Sequence, residues 1–293
     1  FRARGDIFIS RMADSDKKLN SALCIMRRMA PSTIENSLAG LCELAPDLTD
    51  DLLNNVDQPL KIESDSKAEK KFICCDYNRD GDSFRSPWSN TYFPPADADA
   101  LLPSKYLRGL EEDANAIFDV YRKLYFEGGS YSSVYFFSIE GCEDPTKGFG
   151  ACFLVHKDVE AASGSLKKGW WDSTHVFQVN KARGDNYEYK LTSTVMISMV
   201  MEDNTLGSCD LSGSMNKQKS ETKAVKEKGS TSHLINMGTM IENMDHRIRA
   251  EIMEIYFSKT RQIIDGMRLS SGARNRQMDK IAASLKDALK KST

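Results

Sequence analysis

The sequence lacks the features that would place it quickly. No apolar run approaches the roughly 18 residues that a membrane-spanning helix requires, and the N-terminal "FRARGDIFISRMADSD" has no signal-peptide apolar core. The 7 cysteines are scattered, contain no C-x-x-C pair, and include the neighbours Cys74 and Cys75, whose geometry disfavours bridging each other. A reduced intracellular protein is the expectation. The four histidines, His156, His175, His233 and His246, show no H-E-x-x-H or other metal-ligand spacing. No G-x-x-x-x-G-K-[ST] is present to cradle a phosphate. Charge of one sign is also missing, because 40 Lys+Arg stand against 42 Asp+Glu, which gives no reason to expect nucleic acid.

What is there is globular. Hydrophobic residues at 40% and charged residues at 28% of 293 residues suit one large domain or two ordinary ones. The charge is uneven along the chain. From Arg268 to Thr293 seven basic residues meet two acidic ones, a basic appendage of +5 on an acidic body. Phe1 stands where an initiator Met belongs, so residues 1–12 read as an extension or non-native segment, with Met12 a candidate start.

Helical signals come first. Asp14 or Ser15 can cap "DKKLNSALCIMRRMA", ended by Pro31; Ser32 and Glu35 form an S-x-x-E capping box opening a second helix, ended by Pro46; Asp47 caps a third. From Ser104, Leu107, Leu110, Ala114, Ile117, Tyr121 and Leu124 alternate spacings of three and four along one helix face, and Gly128-Gly129 stops it. Then the period becomes two. "YSSVYFFSIE", "GFGACFLVHKDV", "KGWWDSTHVFQVN" and "YEYKLTSTVMISMVM" are aromatic and β-branched, and their short connections predict an antiparallel sheet. Leu234, Met237, Ile241, Met244, Ile248, Ile252 and Ile255 then mark a helix from Ser232 to about Met267, roughly 50 Å long. After Gly272, "RQMDKIAASLKDALKKST" carries Met278, Ile281, Leu285 and Leu289 on one stripe, a terminal helix that gains stability by docking on a partner.

Three stretches invite chemistry and fail it. "CDYNRDGDSFRSPWSN" opens like a calcium loop at Asp76, Asn78, Asp80 and Gly81, but its twelfth position is Pro87 and its ninth Phe84, neither with a side-chain oxygen. "WWDSTHVF" holds Asp172, Ser173 and His175, yet strand alternation puts Ser173 and His175 on one face and Asp172 on the other, so the acid cannot orient that imidazole. Arg183-Gly184-Asp185 reads as a hairpin turn. No catalytic constellation emerges, and an enzyme is not expected. The residues alone leave two binding readings open: a terminal helix whose apolar stripe docks in a partner protein's groove, or a basic amphipathic tail that binds anionic membrane or a calcium sensor.

From Ser15 onward the chain resembles the F-actin capping protein beta-subunit family. The blocks that carry the resemblance are Cys75-Asp76-Tyr77-Asn78-Arg79-Asp80 continuing through "GDSFRSPWSN", with "VDQPLK" (56–61), "LYFEGG" (124–129), "WDSTHV" (171–176), "YKLTSTVM" (189–196) and "EIYFSKT" (254–260). "GCEDPTKG" stands out as an extra loop between strands. The resemblance implies an α+β fold: an N-terminal helical stalk over 13–58, a central region over 59–231 with a helix at 104–126 and an antiparallel sheet, a long helix over 232–268 packed across it, and a mobile amphipathic tentacle over 269–293. It implies a cytoplasmic, cytoskeletal protein paired with a capping protein alpha subunit. The pair caps actin filament barbed ends without calcium or cofactor, blocking subunit addition and loss, with regulatory proteins and anionic phosphoinositides as further ligands. By the same resemblance Arg247, Arg249 and Arg268 face actin as cations, and Ile281, Leu285 and Leu289 form the tentacle's apolar contact.

Overall fold

A computed structural model describes residues 17–255 apart from 27–28, 30–32, 57, 98, 127, 140, 143, 161–165, 204–206 and 226–229. The chain divides into two units, Phe1–Ile241 and Glu242–Thr293. The first is built on a five-stranded antiparallel sheet in the order β10-β9-β8-β7-β6. Its strands are β6 Ser130–Phe137, β7 Gly148–Glu160, β8 Leu166–Lys181, β9 Asn186–Asp203 and β10 Gly207–Ala224. Each pairs with the next in sequence, as short connections dictate. The Arg183-Gly184-Asp185 tripeptide is the β8–β9 turn, with Gly184 at φ +65° and Ala182 N–H donating to Asn186 O at 2.8 Å.

One sheet face carries Phe136, Phe149, Phe153 and Phe177: Phe153 meets Phe136 and Phe177 edge to face at 6.3 and 5.8 Å, and Phe136 meets Phe149 tilted at 5.6 Å. Helix α4, Lys105–Phe126, lies on this face and adds Phe118 at 5.2 Å from Phe153. The opposite face carries Tyr135, Cys152 and Leu154, which pack with Ile73 of the hairpin β1 Lys61–Asp65 and β2 Lys70–Cys74. Farther along that face, Met196 and Trp170 meet the N-terminal helices α1 (17–26), α2 Ile34–Leu44 and α3 Thr49–Asn55 through Ala22, Leu23, Met26, Ile34, Leu38, Leu48 and Leu52. Three expected caps resolve unevenly. Asp14, Ser15 and Ser32 lie outside the described residues, Thr33 flanks α2 without a side-chain cap, and Asp47 sits inside a 3-10 turn, Pro46–Leu48.

Helix α4 turns a different face inward than its apolar spacing predicts. Its buried residues are Leu107, Leu110, Glu111, Ala114, Asn115, Phe118 and Phe126, whereas Ile117 and Leu124 are 58% and 74% exposed. The reason is the sheet edge. Strand β6 is an edge strand, and its outward backbone groups need polar partners. Asn115 accepts from Val134 N–H (2.9 Å) and donates to Val134 O (2.8 Å), and Glu111 accepts from Phe136 N–H (2.9 Å). Satisfying that edge outweighs burying two more aliphatic side chains.

The loop that imitates a calcium site is a structural knot. The buried Asn78 amide donates to Arg85 O (2.8 Å) and its oxygen accepts from Cys75 N–H (2.8 Å). Two short strands, β3 Arg79–Asp80 and β4 Ser83–Arg85, turn at Gly81, whose φ of +56° suits glycine, and β5 Tyr92–Phe93 completes their sheet. Arg85 then reaches Glu111 with two parallel bonds of 2.7 Å, and Arg108 Nη1 approaches the same carboxylate at 2.5 Å. Both Arg85 and Glu111 are buried. Asp65 binds the next residues of the loop, accepting from Ser86 Oγ (2.5 Å) and Ser89 N–H (3.2 Å).

Candidate functional site

The candidate site lies on helix α5, Ser230–Ile252. Its first half is fixed on the aromatic sheet face. His233 stacks edge-on against Phe149 and Tyr187, and the Tyr189 hydroxyl lies 2.8 Å from His233 Nδ1. Asn236 donates to the same hydroxyl at 3.2 Å. Burial pulls the His233 pKa down to about 4 and pushes Tyr189 up to about 12, so both are neutral at physiological pH. Leu234, Met237, Ile241, Met244, Ile248 and Ile252 are buried as their spacing predicts, but Ile255 is 42% exposed.

On the second half, the two predicted cations differ in surroundings. The Arg247 side chain is 66% exposed and pairs with Glu251, 3.3 Å away across one helical turn. Arg249 is 37% exposed and reaches back one turn to Asp245, whose side chain is only 4% exposed, at 3.1 Å. Arg247 is therefore a surface charge in an exposed pair, whereas Arg249 holds a buried carboxylate. Sequence reading missed Asp245, although its i, i+4 spacing to Arg249 was visible. Arg268, Ile281, Leu285 and Leu289 lie outside the described residues, as does the helix expected beyond residue 255.

The catalytic-looking cluster separates as strand alternation predicts. His175 Nδ1 lies 2.8 Å from Ser193 Oγ on one face, while Asp172 on the other meets His156 Nδ1 at 2.5 Å and accepts from Leu60 N–H at 2.8 Å. Burial works against a charged His156, but Asp172 and then Asp158 outweigh it and raise its pKa. The result is a buried ion pair between strands, with no nucleophile beside it. Among the described residues no group of three or more His, Cys, Asp or Glu is placed to hold a metal, and no helix is long and apolar enough to cross a membrane.

An antiparallel sheet with helices on both faces makes this an α+β protein. The sequence model of the family "F-actin capping protein, beta subunit" matches residues 19–264. F-actin-capping protein subunit beta of Drosophila melanogaster is 45% identical over 256 residues, spanning 87% of this chain and 88% of that protein. The Dictyostelium discoideum subunit beta is 42% identical over 267 residues, spanning 91% and 94%. The chain belongs to the F-actin capping protein beta-subunit family, a family of actin-binding proteins and not of enzymes. Its fold is shared with the homodimeric actin capping protein alpha subunit from Plasmodium berghei, with a TM-score of 0.51 at 14% identity over 86% of this chain and 96% of that one.

Proposed function

We propose that this chain is the beta subunit of a heterodimer that caps actin filament barbed ends, blocking subunit addition and loss without calcium. The observation that carries the reading is the family match across residues 19–264. Two structural features support it. Strand β10 is an 18-residue sheet edge without proline and with no strand on its outer side among the described residues. Such an edge favours pairing with another strand, and an alpha subunit of the same fold supplies one, joining two sheets into one. Arg247 offers an exposed cation for the acidic surface of the terminal actin subunits, joined by Arg249 two positions on and Arg268 farther along the sequence.

The remaining organisation follows the same reading. Residues 13–58 form a stalk, 232–268 a long helix and 269–293 a mobile tentacle whose Ile281, Leu285 and Leu289 dock on actin after the basic tail has steered the approach. The complex acts in the cytoplasm on the cytoskeleton, and regulatory proteins and anionic phosphoinositides modulate it. The test is elongation from filament seeds with the chain alone, with a co-expressed alpha subunit, and with chelator or calcium added. Capping by the pair, equal with and without calcium, is expected. Elongation that continues unchanged in the presence of the pair overturns the proposal, and pelleting with anionic vesicles instead of filaments would establish the membrane reading.

A further inference from the structure

A groove of about 610 Å³ runs between α4 and the β1–β2 hairpin, with the outer edge of β6 as its floor. Its volume falls in the range of ordinary ligand clefts. Two features set it apart from a solvated crevice, and the first is charge. Five cationic side chains line it against two carboxylates. Those carboxylates are already engaged: Glu112 by Arg108 at 2.9 Å, and Asp119 by both Arg122 and Lys123 at 2.7 Å. Lys70 and Lys71 have no carboxylate within ion-pair distance among the described residues. Lys70 Nζ instead lies 4.4 Å from the centre of the Trp88 ring, and Lys71 Nζ lies 5.1 Å from that of Tyr131 and donates to its hydroxyl at 3.5 Å. A ring face holds an ammonium in place without neutralising it.

The second feature is backbone. In an antiparallel pair the N–H and C=O of alternate residues point away from the partner strand. On β6 the even positions point outward, as the bonds of Val134 to Asn115, Phe136 to Glu111 and Ser130 O to Arg122 Nη1 establish. The Asp158 N–H bond to Gly129 O confirms the opposite phase for the odd ones. Ser132 therefore directs its N–H and C=O outward as well; it lines the groove and, at 7% exposure, lies at its bottom. Helix α4 supplies Arg122 for Ser130 and Asn115 for Val134, and no protein group among the described residues for Ser132. An open N–H and C=O on one residue is the arrangement that pairs with one residue of an extended chain.

We propose that this groove binds an acidic peptide segment in extended conformation, bridged to Ser132 by backbone bonds and held by Lys70 and Lys71 through its carboxylates. The site is separate from the residues assigned to actin, and its test does not depend on capping. The probe is a short fluorescein-labelled peptide of alternating Glu and Val, titrated by fluorescence anisotropy with the full chain in its purified complex. A Lys–Val peptide of equal length is the control. The Glu–Val peptide is expected to bind, more weakly as salt rises, and the control not to bind. The double variant K70E/K71E, whose exposed side chains leave unfolding unchanged, is expected to weaken binding by about tenfold or more. Ser132→Pro removes the outward N–H at an edge position, where proline is tolerated, and is expected to weaken it too. If Ser132→Pro fails to fold, the charge-reversal result decides alone. Equal binding of both peptides, or affinity unchanged in K70E/K71E, overturns the proposal. Absence of peptide binding, with pelleting on phosphatidylserine vesicles that K70E/K71E abolishes, overturns it in favour of a membrane contact.

Discussion

Arg249 Nη2 lies 3.1 Å from Asp245 Oδ2 one turn earlier on α5, and the Asp245 side chain is 4% exposed. Arg247 and Arg249, two of the three arginines that the family resemblance assigns to actin, are therefore not equivalent. Arg247→Ala removes an exposed charge whose i, i+4 pair with Glu251 is worth about 0.3–0.5 kcal/mol, so stability should hold while capping weakens. Arg249→Ala takes the ion pair from a buried carboxylate and should cost about 1–3 kcal/mol of stability besides any loss of capping. Urea unfolding and seeded elongation on each single variant separate the effects. A sharp loss of stability in Arg247→Ala with normal capping would reverse the assignment.

Glu111 is fully buried and serves Arg85, Arg108 and the Phe136 N–H together. Glu111→Gln keeps a hydrogen-bonding side chain but leaves Arg85 buried without its counter-ion. Breaking such a pair costs roughly 3–5 kcal/mol, and the loss should appear as a lower urea midpoint. An unchanged midpoint would mean that Arg85 reaches water in the native state.

Acid titrates the fold through two groups with different windows. Burial holds His233 at about 4 against an ordinary 6.5, so its contribution is complete above 6.5 and is lost as pH falls towards 4. That shift corresponds to about 3 kcal/mol. Burial tends to raise Asp65, but bonds from Ser86, Ser89, Ala68 and Lys67 outweigh it and hold it at about 2, so its share is lost only between about 4 and 2. His156 has the opposite sign: its pKa is raised, so its own contribution is present below 6.5 and is lost as pH rises through the raised value, while burial, outweighing the bonds from His156 and Leu60, raises Asp172 as well. Melting temperature against pH should therefore fall between 6.5 and 4, and His233→Gln should flatten that fall. An equally steep fall in the variant would remove His233 as its cause.

The unpaired edge of β10 predicts poor behaviour of the isolated chain. Expressed alone it should aggregate, and co-expression with an alpha subunit should yield a one-to-one dimer by light scattering. A stable monomer at micromolar concentration would count heavily against a joint sheet.

The tail is tested by removal. Deleting residues 273–293 should speed dissociation from barbed ends and leave the dimer folded. If Ile281, Leu285 and Leu289 dock on actin as proposed, burying them contributes on the order of 1.5–3 kcal/mol each, before the cost of ordering the segment. Leu285→Asp should reproduce much of that loss by placing a charge in the apolar contact. An unchanged off-rate after dilution of capped seeds would sink the docking idea.

Much of this protein was legible from its residues, because local chemistry acts within a few positions. Period-two runs and short connections determined the antiparallel order of β6 to β9, though β10, polar from Asn216 to Lys223, carried too few apolar residues to be read as a strand. Spacing set the buried face of α5 from Leu234 to Ile252, and alternation already parted Asp172 from His175. The tertiary structure decided what depends on partners far apart in the chain. It turned Glu111 and Asn115 of α4 inward and left Ile117 outside, because the β6 edge needs hydrogen bonds that apolar side chains cannot give. It joined Asp65, Arg85 and Glu111 across 46 positions of sequence, and it set Lys70 and Lys71 over aromatic rings beside an open strand position. Periodicity reports which side chains avoid water; only the assembled fold shows which backbone groups and charges must be matched, since each match depends on where another segment comes to rest.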